Sequence, residues 1–408
     1  MTVKSYIEDA YTTSFESTVV AIHQRKDHVA IELENTYFYP EGGGQPYDVG
    51  TIEGLQIVDV QIEDGCILHF TSMPTDSIKV GMQAMCEVDA RRRKALMQQH
   101  TGQHILSSCA EKLFNANTVG FHIGDDYVTV DLDQKLTGAD IDQLELEANN
   151  VVFNNLSVMA HYPSPEELGK MPLRKQPKVT ENIRVIEVAG VDFSPCGGTH
   201  LKTTSEVGMI KIKRTEPYKT GVRIEFGCGY YALETARKRN ETINQLMRLF
   251  SVRDEEIVNF CEQLLENQKN DRLSLHAMKE QFIKLQVQEL LSPTDETLAE
   301  EVKVITLIEN EMPMVDLRLK TSMICEHENM IVLAAATEGE KSHFVLSKSK
   351  NLTQSPDMGM LFKTYLAPLG IKGGGNAFVA QGGSTMHIQL EEALDLVEKQ
   401  VQIVMESY

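Results

Sequence analysis

No apolar run in this 408-residue chain reaches the length that a membrane-spanning helix needs. The first residues, MTVKSYIEDAYTTSF, carry acids and lack an apolar stretch, which excludes a secretory signal. A cytoplasmic protein without a membrane partner is expected. C-x-x-C pairs are also missing. The seven cysteines (Cys66, Cys86, Cys109, Cys196, Cys228, Cys261 and Cys325) are scattered and odd in number. That excludes a disulfide framework, and most of them read as small buried apolar residues. Three catalytic signatures are absent too: the H-E-x-x-H of zinc proteases, the G-x-S-x-G nucleophile elbow and the P-loop. Internal repeats and low-complexity segments are lacking.

Positive charge is in short supply. Lys and Arg number 39 against 59 Asp and Glu, a net charge of −20, which argues against a broad nucleic-acid-binding face. Phosphate contacts need only a local patch, however. Three basic stretches lie in the first 230 residues: Arg91, Arg92, Arg93 and Lys94; Lys170, Arg174, Lys175 and Lys178; Lys211, Lys213, Arg214, Lys219 and Arg223. A solvated face is the simpler reading of each.

What is present is an ordinary globular balance, 42% hydrophobic and 24% charged, in a chain long enough for about two to four domains. Residues 1 to 90 alternate apolar and polar positions in short runs, such as Ser17 to Ile22 and Val29 to Leu33, broken by Pro40 to Gly50. This predicts a small antiparallel β-barrel. Residues 91 to 228 read as α+β: a helix over Ala95 to Phe114, then strands at Tyr127 to Leu132, Ile183 to Val188, Gly208 to Lys213 and Val222 to Phe226. Thr137-Gly-Ala-Asp140 resembles a capping box that starts another helix. Residues 229 to 292 read as helix, with a restart at Ser251-Val-Arg-Asp254 and an end at Ser292-Pro293. Residues 293 to 408 alternate again, with strands at Lys303 to Ile308, Met330 to Thr337 and Ser342 to Ser347. Helices are expected at Pro356 to Leu369 and Gln389 to Met405, with a glycine-rich loop, Gly373 to Gly383, between them.

Two motifs carry metal chemistry. His100-Thr-Gly-Gln-His104 sits in the predicted helix, where residues four apart share a face, so both imidazoles reach one point. Cys196-Gly-Gly-Thr-His200 follows the same logic with a turn: two glycines let the backbone fold tightly and bring thiolate and imidazole together. Each motif alone is equally compatible with core packing. Together they form a Cys-His₃ set suited to tetrahedral Zn²⁺, with the thiolate favouring zinc over magnesium or calcium.

These motifs also carry a resemblance. QQHTGQHILSSCAEKLF with DFSPCGGTHLKTTSEVGMIKIKR is similar to the editing domain of alanyl-tRNA synthetase, and more so to the free-standing alanyl-tRNA editing proteins of the AlaX type. TYFYPEGGGQPYDVGTI, residues 36 to 52, resembles the glycine-rich motif of their N-terminal barrel, and VGFHIGDDYVTVDL, residues 119 to 132, a further stretch of the editing core. GGGNAFVAQGG, residues 373 to 383, resembles the DHH-associated C-terminal domain, while the Asp-His-His of the phosphoesterases that share that domain is absent. The resemblance implies an α+β chain in four parts: an N-terminal β-barrel over 1–90, a zinc editing domain over 91–228, a helical linker over 229–292, and an α/β DHH-associated domain over 293–408. No class II aminoacylation domain precedes the barrel, so an editing factor acting in trans is expected.

The expected reaction is hydrolysis of a mischarged aminoacyl ester, with Ser-tRNA(Ala) and Gly-tRNA(Ala) as substrates. A pocket shaped for a methyl side chain cannot strongly reject an added hydroxyl, so a second site is needed to destroy the product. His100, His104, Cys196 and His200 are expected to hold Zn²⁺ and support catalysis. Gly42, Gly43, Gly44, Thr36 and Gln45 are the expected substrate-binding residues, with a tight barrel turn as the alternative for the glycines. Asp192 is read either as a partner of a ligating histidine or as an ordinary loop aspartate, and His122 as a strand-end histidine. The helical linker and C-terminal domain are expected to serve tRNA binding, homodimerisation or both. Two other functions fit the residues: a non-catalytic tRNA-binding protein with a structural zinc, favoured by the closed four-ligand set, and a zinc hydrolase of another aminoacyl ester.

Overall fold

The computed structural model describes residues 2–25, 28–72, 77–124, 127–177, 182–291, 301–353, 356–386 and 388–406. The fold is mixed α+β, with eight α-helices and five sheets among the described residues. It divides into two compact units, Met1–Ser251 and Val252–Tyr408.

The first unit opens with a seven-stranded antiparallel sheet. Its order is Leu55–Ile57, Gly50–Ile52, Gln83–Val88, Ser14–Gln24, Val29–Leu33, Cys66–Thr71, Asp59–Glu63. Strict alternation explains its inner face: along Gln83–Val88 the residues Ala84, Cys86 and Val88 are buried and their neighbours exposed. Phe15, Val19, Leu33, Phe38, Ile52 and Ile67 belong to the resulting core. Thr36 is sealed into this part of the chain. Its hydroxyl donates to Nε2 of His69 at 2.9 Å, and His69 Nδ1 donates to the carbonyl of Ile31 at 2.9 Å.

The second core is built around the helix Ala90–Phe114, which is buried without a break from Ala95 to Ala110. A helix covered all round lies inside its domain. A four-stranded sheet (Thr118–Ile123, Val128–Leu132, Gly221–Cys228, Ile210–Tyr218) and a three-stranded sheet (Val158–His161, Val185–Val188, Asp192–Pro195) pack against this core, joined by the helix Gly138–Phe153. The Thr137–Asp140 capping box expected at that helix start is formed reciprocally. Gly102 is sterically required: a Cβ there would lie 2.3 Å from the Cys228 sulfur, so the helix approaches the sheet as only glycine permits.

A buried ion pair ties the two cores together. Arg93 is 1% exposed and faces Asp48, itself fully buried, through Nε at 3.1 Å to both carboxylate oxygens and through Nη2. Its remaining donors reach the carbonyls of Ala10 and Tyr37. The basic run Arg91 to Lys94 is therefore not a continuous solvated face. A helix turns 100° per residue, so Arg91 is exposed, Arg93 enters the core and Lys94 pairs with Glu206. The other two basic stretches are likewise largely paired with acids: Lys170 with Glu166, Arg174 with Asp192, Lys211 with Glu145, Arg214 with Glu225 and Arg223 with Asp131. Lys178 lies outside the described residues.

The expected helical stretch after residue 229 is two helices, Tyr230–Phe250 and Ile257–Leu290, broken at Ser251, whose φ is +56°. Its expected end at Ser292-Pro293 lies outside the described residues. In the second unit a five-stranded sheet runs Lys303–Glu309, Met330–Glu338, Lys341–Lys348, Val379–Ser384, Lys372–Gly375, parallel in the first pairing and antiparallel thereafter. Met330–Glu338 feeds both faces by alternation. Ile331, Leu333 and Ala335 meet the helix Leu390–Glu406, and Val332, Ala334 and Ala336 meet the helices Ile257–Leu290 and Met314–Ile324. The helix expected over Pro356 to Leu369 is an α-turn at Met358–Leu361 that loosens to a π-turn and tightens to a 3₁₀ turn before Gly370 at φ +84°.

The glycine-rich stretch from 373 to 383, expected as a loop, is a β-hairpin of Lys372–Gly375 and Val379–Ser384. Close approach explains its composition. A Cβ on Gly373 would meet the Gln381 carbonyl at 2.1 Å and one on Gly375 the Val379 carbonyl at 2.0 Å. The side chain of Asn376 closes the turn by accepting from the backbone N–H groups of Phe378 and Val379.

His69 gives this fold a pH dependence. Burial pushes its imidazole down to about 4, against an unfolded value of ~6.5. The unfolded chain therefore binds the proton more readily, and stability present above ~6.5 is lost as pH falls towards 4, by up to about 3 kcal/mol. Urea unfolding of the first unit at pH 7 and pH 4.5 should reveal this loss, and His69→Gln should reduce it.

Candidate metal centre

His100 and His104 lie one turn apart on the buried helix, and Cys196 and His200 on the loop that leaves strand Asp192–Pro195. The fold brings them together: one ligand atom from each lies within 4.8 Å of all the others. The sulfur of Cys196 is 3.3 Å from Nε2 of His100 and 3.3 Å from Nε2 of His200. Tetrahedral zinc with Zn–S and Zn–N bonds of usual length separates such donors by ~3.5 Å, so the set fits that ion. The three rings surround the point, with centroids 4.4 Å (His100–His200), 4.7 Å (His104–His200) and 5.3 Å (His100–His104) apart.

Each imidazole has its other nitrogen occupied. His100 Nδ1 donates to Oε1 of Gln45 at 2.8 Å, His104 Nδ1 to Oδ2 of Asp192 at 2.8 Å, and His200 Nδ1 to the Thr101 hydroxyl oxygen at 3.2 Å. The acceptor-only oxygens of Gln45 and Asp192 put the proton of His100 and His104 on Nδ1 and leave Nε2 free for a metal, and the Thr101 hydroxyl, able to accept, is compatible with the same tautomer at His200. Asp192 is itself held from behind by Arg174 Nε at 2.7 Å and by the Ser194 hydroxyl at 3.1 Å. Arg184 Nη1 grips the loop through the carbonyls of Cys196 at 3.2 Å and Gly198 at 2.7 Å. Two buried guanidinium nitrogens beside the site, Arg174 Nη2 and Arg184 Nε, have no hydrogen-bond partner among the described residues.

The electrostatics suit ligation. Burial alone would raise the Cys196 thiol, but His100 and His200 beside it turn the balance and hold it well below the ordinary thiol range. His200 is driven down to about 3, by burial first and by its imidazole neighbour next, so it is neutral at neutral pH. Burial lowers Asp192's tendency to ionise, yet His104 and Arg174 outweigh it and bring its carboxyl to about 2. His104 is raised overall: burial opposes this, and Asp192 and Cys196 overcome it. A thiolate at Cys196 and a neutral imidazole at His200 are protonation states that ligation of zinc requires.

The glycine-rich motif lies beside this cluster. Gly43 and Gly44, with φ of +57° and +84°, occupy the centre of a two-residue turn closed by reciprocal bonds between Gly42 and Gln45. Gly43 and Gly44 are exposed, whereas Gln45 is 1% exposed and faces His100 and Thr199. Thr36 is enclosed with His69 in the first core instead. His122 is exposed at a strand end. Thr101 and Arg174 went unsingled in the sequence for this site: the first is masked by its place inside the H-x-x-x-H motif and the second by its place in a basic run. Phe121, with its ring centroid 5.8 Å from that of His100, is another neighbour.

Residues 183–225 match the family described as threonyl and alanyl tRNA synthetase second additional domain, and residues 6–92 match tRNA synthetases class II (A). The alanyl-tRNA editing protein AlaX-L of Pyrococcus horikoshii is 30% identical over 94% of this chain and 94% of its own length. The alanine–tRNA ligase of Methanosarcina barkeri is 29% identical over 96% of this chain, which spans 43% of the ligase. The solved C-Ala domain from Aquifex aeolicus alanyl-tRNA synthetase aligns with 24% of this chain and 89% of that chain at 24% identity, with a TM-score of 0.23.

The two glycines between Cys196 and His200 make different demands. A Cβ on Gly198 would lie 2.1 Å from Cε1 and 2.4 Å from Nδ1 of His100, whereas one on Gly197 meets nothing within 4 Å among the described residues. Gly198→Ala should therefore cost more than ~2 kcal/mol of stability and weaken metal uptake. Gly197→Ala should stay within ~0.5 kcal/mol of the parent. Thermal unfolding with and without Zn²⁺ measures both, and equal behaviour of the two variants would contradict the assignment.

Proposed function

Because the chain belongs to the alanyl-tRNA editing proteins, we propose that it is a cytoplasmic, zinc-dependent hydrolase that acts in trans on mischarged alanine tRNA, releasing serine or glycine from the 3′ end. The observation that carries the zinc reading is the convergence of His100, His104, Cys196 and His200 from two distant stretches, with all three Nδ1 atoms already bonded elsewhere. The four residues would hold Zn²⁺. Bound there, the ion supplies a Lewis-acidic charge suited to polarising an ester carbonyl or holding the substrate's amino group.

The chain's own residues prepare that site. Asp192, Thr101 and Gln45 orient the three imidazoles, Arg184 holds the cysteine loop, and burial excludes bulk water from the donors. On the substrate side, the exposed backbone of Gly43 and Gly44 supports a place for the amino acid of the ester, since glycine lets a polar ligand approach the main chain. Thr36 and Gln45 have their polar atoms engaged within the protein, so we assign serine recognition to the turn's backbone. The accompanying architecture is a small β-barrel over 1–90, the editing domain over 91–228, a helical linker over 229–292 and a DHH-associated domain over 293–408. The strand Leu55–Ile57, at one end of the seven-stranded order, also approaches Cys66–Thr71 near the other end, which supports closure into a barrel. Leu275, Met278, Phe282 and Leu285 lie on one stripe of the helix Ile257–Leu290 and are 57 to 67% exposed, which supports a homodimer through a partner helix.

The closed set of four protein donors favours one other reading, a tRNA-binding protein whose zinc is structural. Incubation with seryl-, glycyl- and alanyl-tRNA(Ala), with and without chelator, separates the two. Loss of serine and glycine with alanine retained supports editing; binding without deacylation would overturn it in favour of the structural reading. His100→Ala and Cys196→Ala should each lower zinc content and reduce deacylation by about 100-fold or more. Full activity in a zinc-free variant would exclude the metal from catalysis.

A further inference from the structure

An imidazole serves a metal only if the nitrogen that faces the ion is unprotonated. Neutral imidazole carries a proton on one nitrogen or the other, and the partner of the second nitrogen decides which. For His200 the partner, Thr101, is on the helix that carries His100 and His104, and for His104 the partner, Asp192, is on the strand that leads to Cys196. Both therefore come from the body that carries the ligands. His100 differs. Its partner, Gln45, is 55 residues away, on the turn that leaves the seven-stranded sheet.

The orientation of the Gln45 amide is settled by chemistry. The backbone N–H of Thr199 can only donate, and it points at the same side-chain atom as His100 Nδ1, at 3.1 Å and 2.8 Å. That atom must be the carbonyl oxygen. The amide nitrogen then donates one hydrogen to the Thr199 hydroxyl at 2.9 Å, so both polar atoms of the side chain are engaged. An oxygen facing His100 Nδ1 requires a proton on Nδ1 and leaves Nε2 bare.

The turn that delivers Gln45 is built to sit where it does. Gly44 has a positive φ, its carbonyl accepts from Ile123 N–H at 3.1 Å, and a Cβ there would lie 2.7 Å from the Phe121 ring. Tyr39 steadies the turn by donating to the Gly42 carbonyl at 2.9 Å. On the far side, a Cβ on Gly198 would lie 2.9 Å from the Gln45 oxygen. Glycines on both sides make room for one hydrogen bond.

We infer that Gln45 is a positioning residue of the metal centre, delivered by the Gly42–Gly44 turn, whose carbonyl locks His100 as an Nε2 donor. The inference rests on the zinc reading above and adds that the part of the chain before the buried helix orients one of the four donors.

The test is metal binding, read without activity. Zinc affinity is measured by chelator competition, and ligand geometry by the visible absorption of the Co²⁺-loaded protein, for the full chain and for two variants. Gln45→Met keeps the volume and removes the acceptor. It should weaken zinc binding by about 10- to 100-fold and shift the cobalt bands. Gln45→Glu keeps an acceptor and should restore both towards the parent. A Gln45→Met protein with parental affinity and an unchanged cobalt spectrum would overturn the inference. Nitrogen-15 NMR of the zinc-loaded parent, labelled at histidine, reads the same point without any variant. His100 should carry its proton on Nδ1; a proton on Nε2 refutes the lock even if Gln45→Met does not fold. A parent chain that takes up no zinc refutes the metal reading itself, which is a separate outcome.

Discussion

The molecule's central constraint is the packing of three imidazoles and a thiol around a single point inside a protein core. Buried polar groups are costly unless each is satisfied. Here every nitrogen that faces away from the point is bonded: His100 to Gln45, His104 to Asp192, His200 to Thr101. The sulfur answers two of the three that face inward at 3.3 Å. Much of the first unit can be understood as the scaffold this arrangement demands. The helix Ala90–Phe114 is buried on all sides because two of its residues must meet the point and the rest must keep water away.

That scaffold has two parts, and their docking is chemical as well as apolar. Arg93 with Asp48 forms one tie and Gln45 with His100 and Thr199 the other. Removing one partner of a buried ion pair costs about 3 to 5 kcal/mol, because the other charge is stranded. Such a pair fixes how the helix meets the seven-stranded sheet, and through that the position of Gln45. The glycine-rich turn therefore has a structural duty at its last residue and an exposed backbone at Gly43 and Gly44. One short motif serves both sides of the site.

The legibility of the site followed from period and proximity along the chain. His100 and His104 could be placed on one helix face because 3.6 residues per turn is a local property. Cys196 and His200 could be joined because a five-residue loop spans little distance. The Thr137–Asp140 capping box was readable for the same reason. Asp192 was one of two open readings, and only the 2.8 Å bond to His104 decided between them. The basic runs misled, since charge counted along the sequence ignores the rotation that sends Arg93 inward and Arg174 onto Asp192. The glycine-rich stretch from 373 to 383 misled for a related reason. Its glycines answer to a neighbouring strand rather than to a turn.

Sequence alone determined the types of donor side chain, their pairing within each motif and the alternation that makes the sheets, because these depend on residues a few positions apart. Tertiary structure decided which nitrogens of His100 and His104 face the shared point, which of two adjacent glycines leaves no room for a Cβ, and where the charges of Arg93 and Arg174 go. Those outcomes depend on contacts between segments 18 to 154 residues apart. Hydrogen-bond direction and steric overlap at such contacts exist only once the backbone has brought the partners to within a few ångströms.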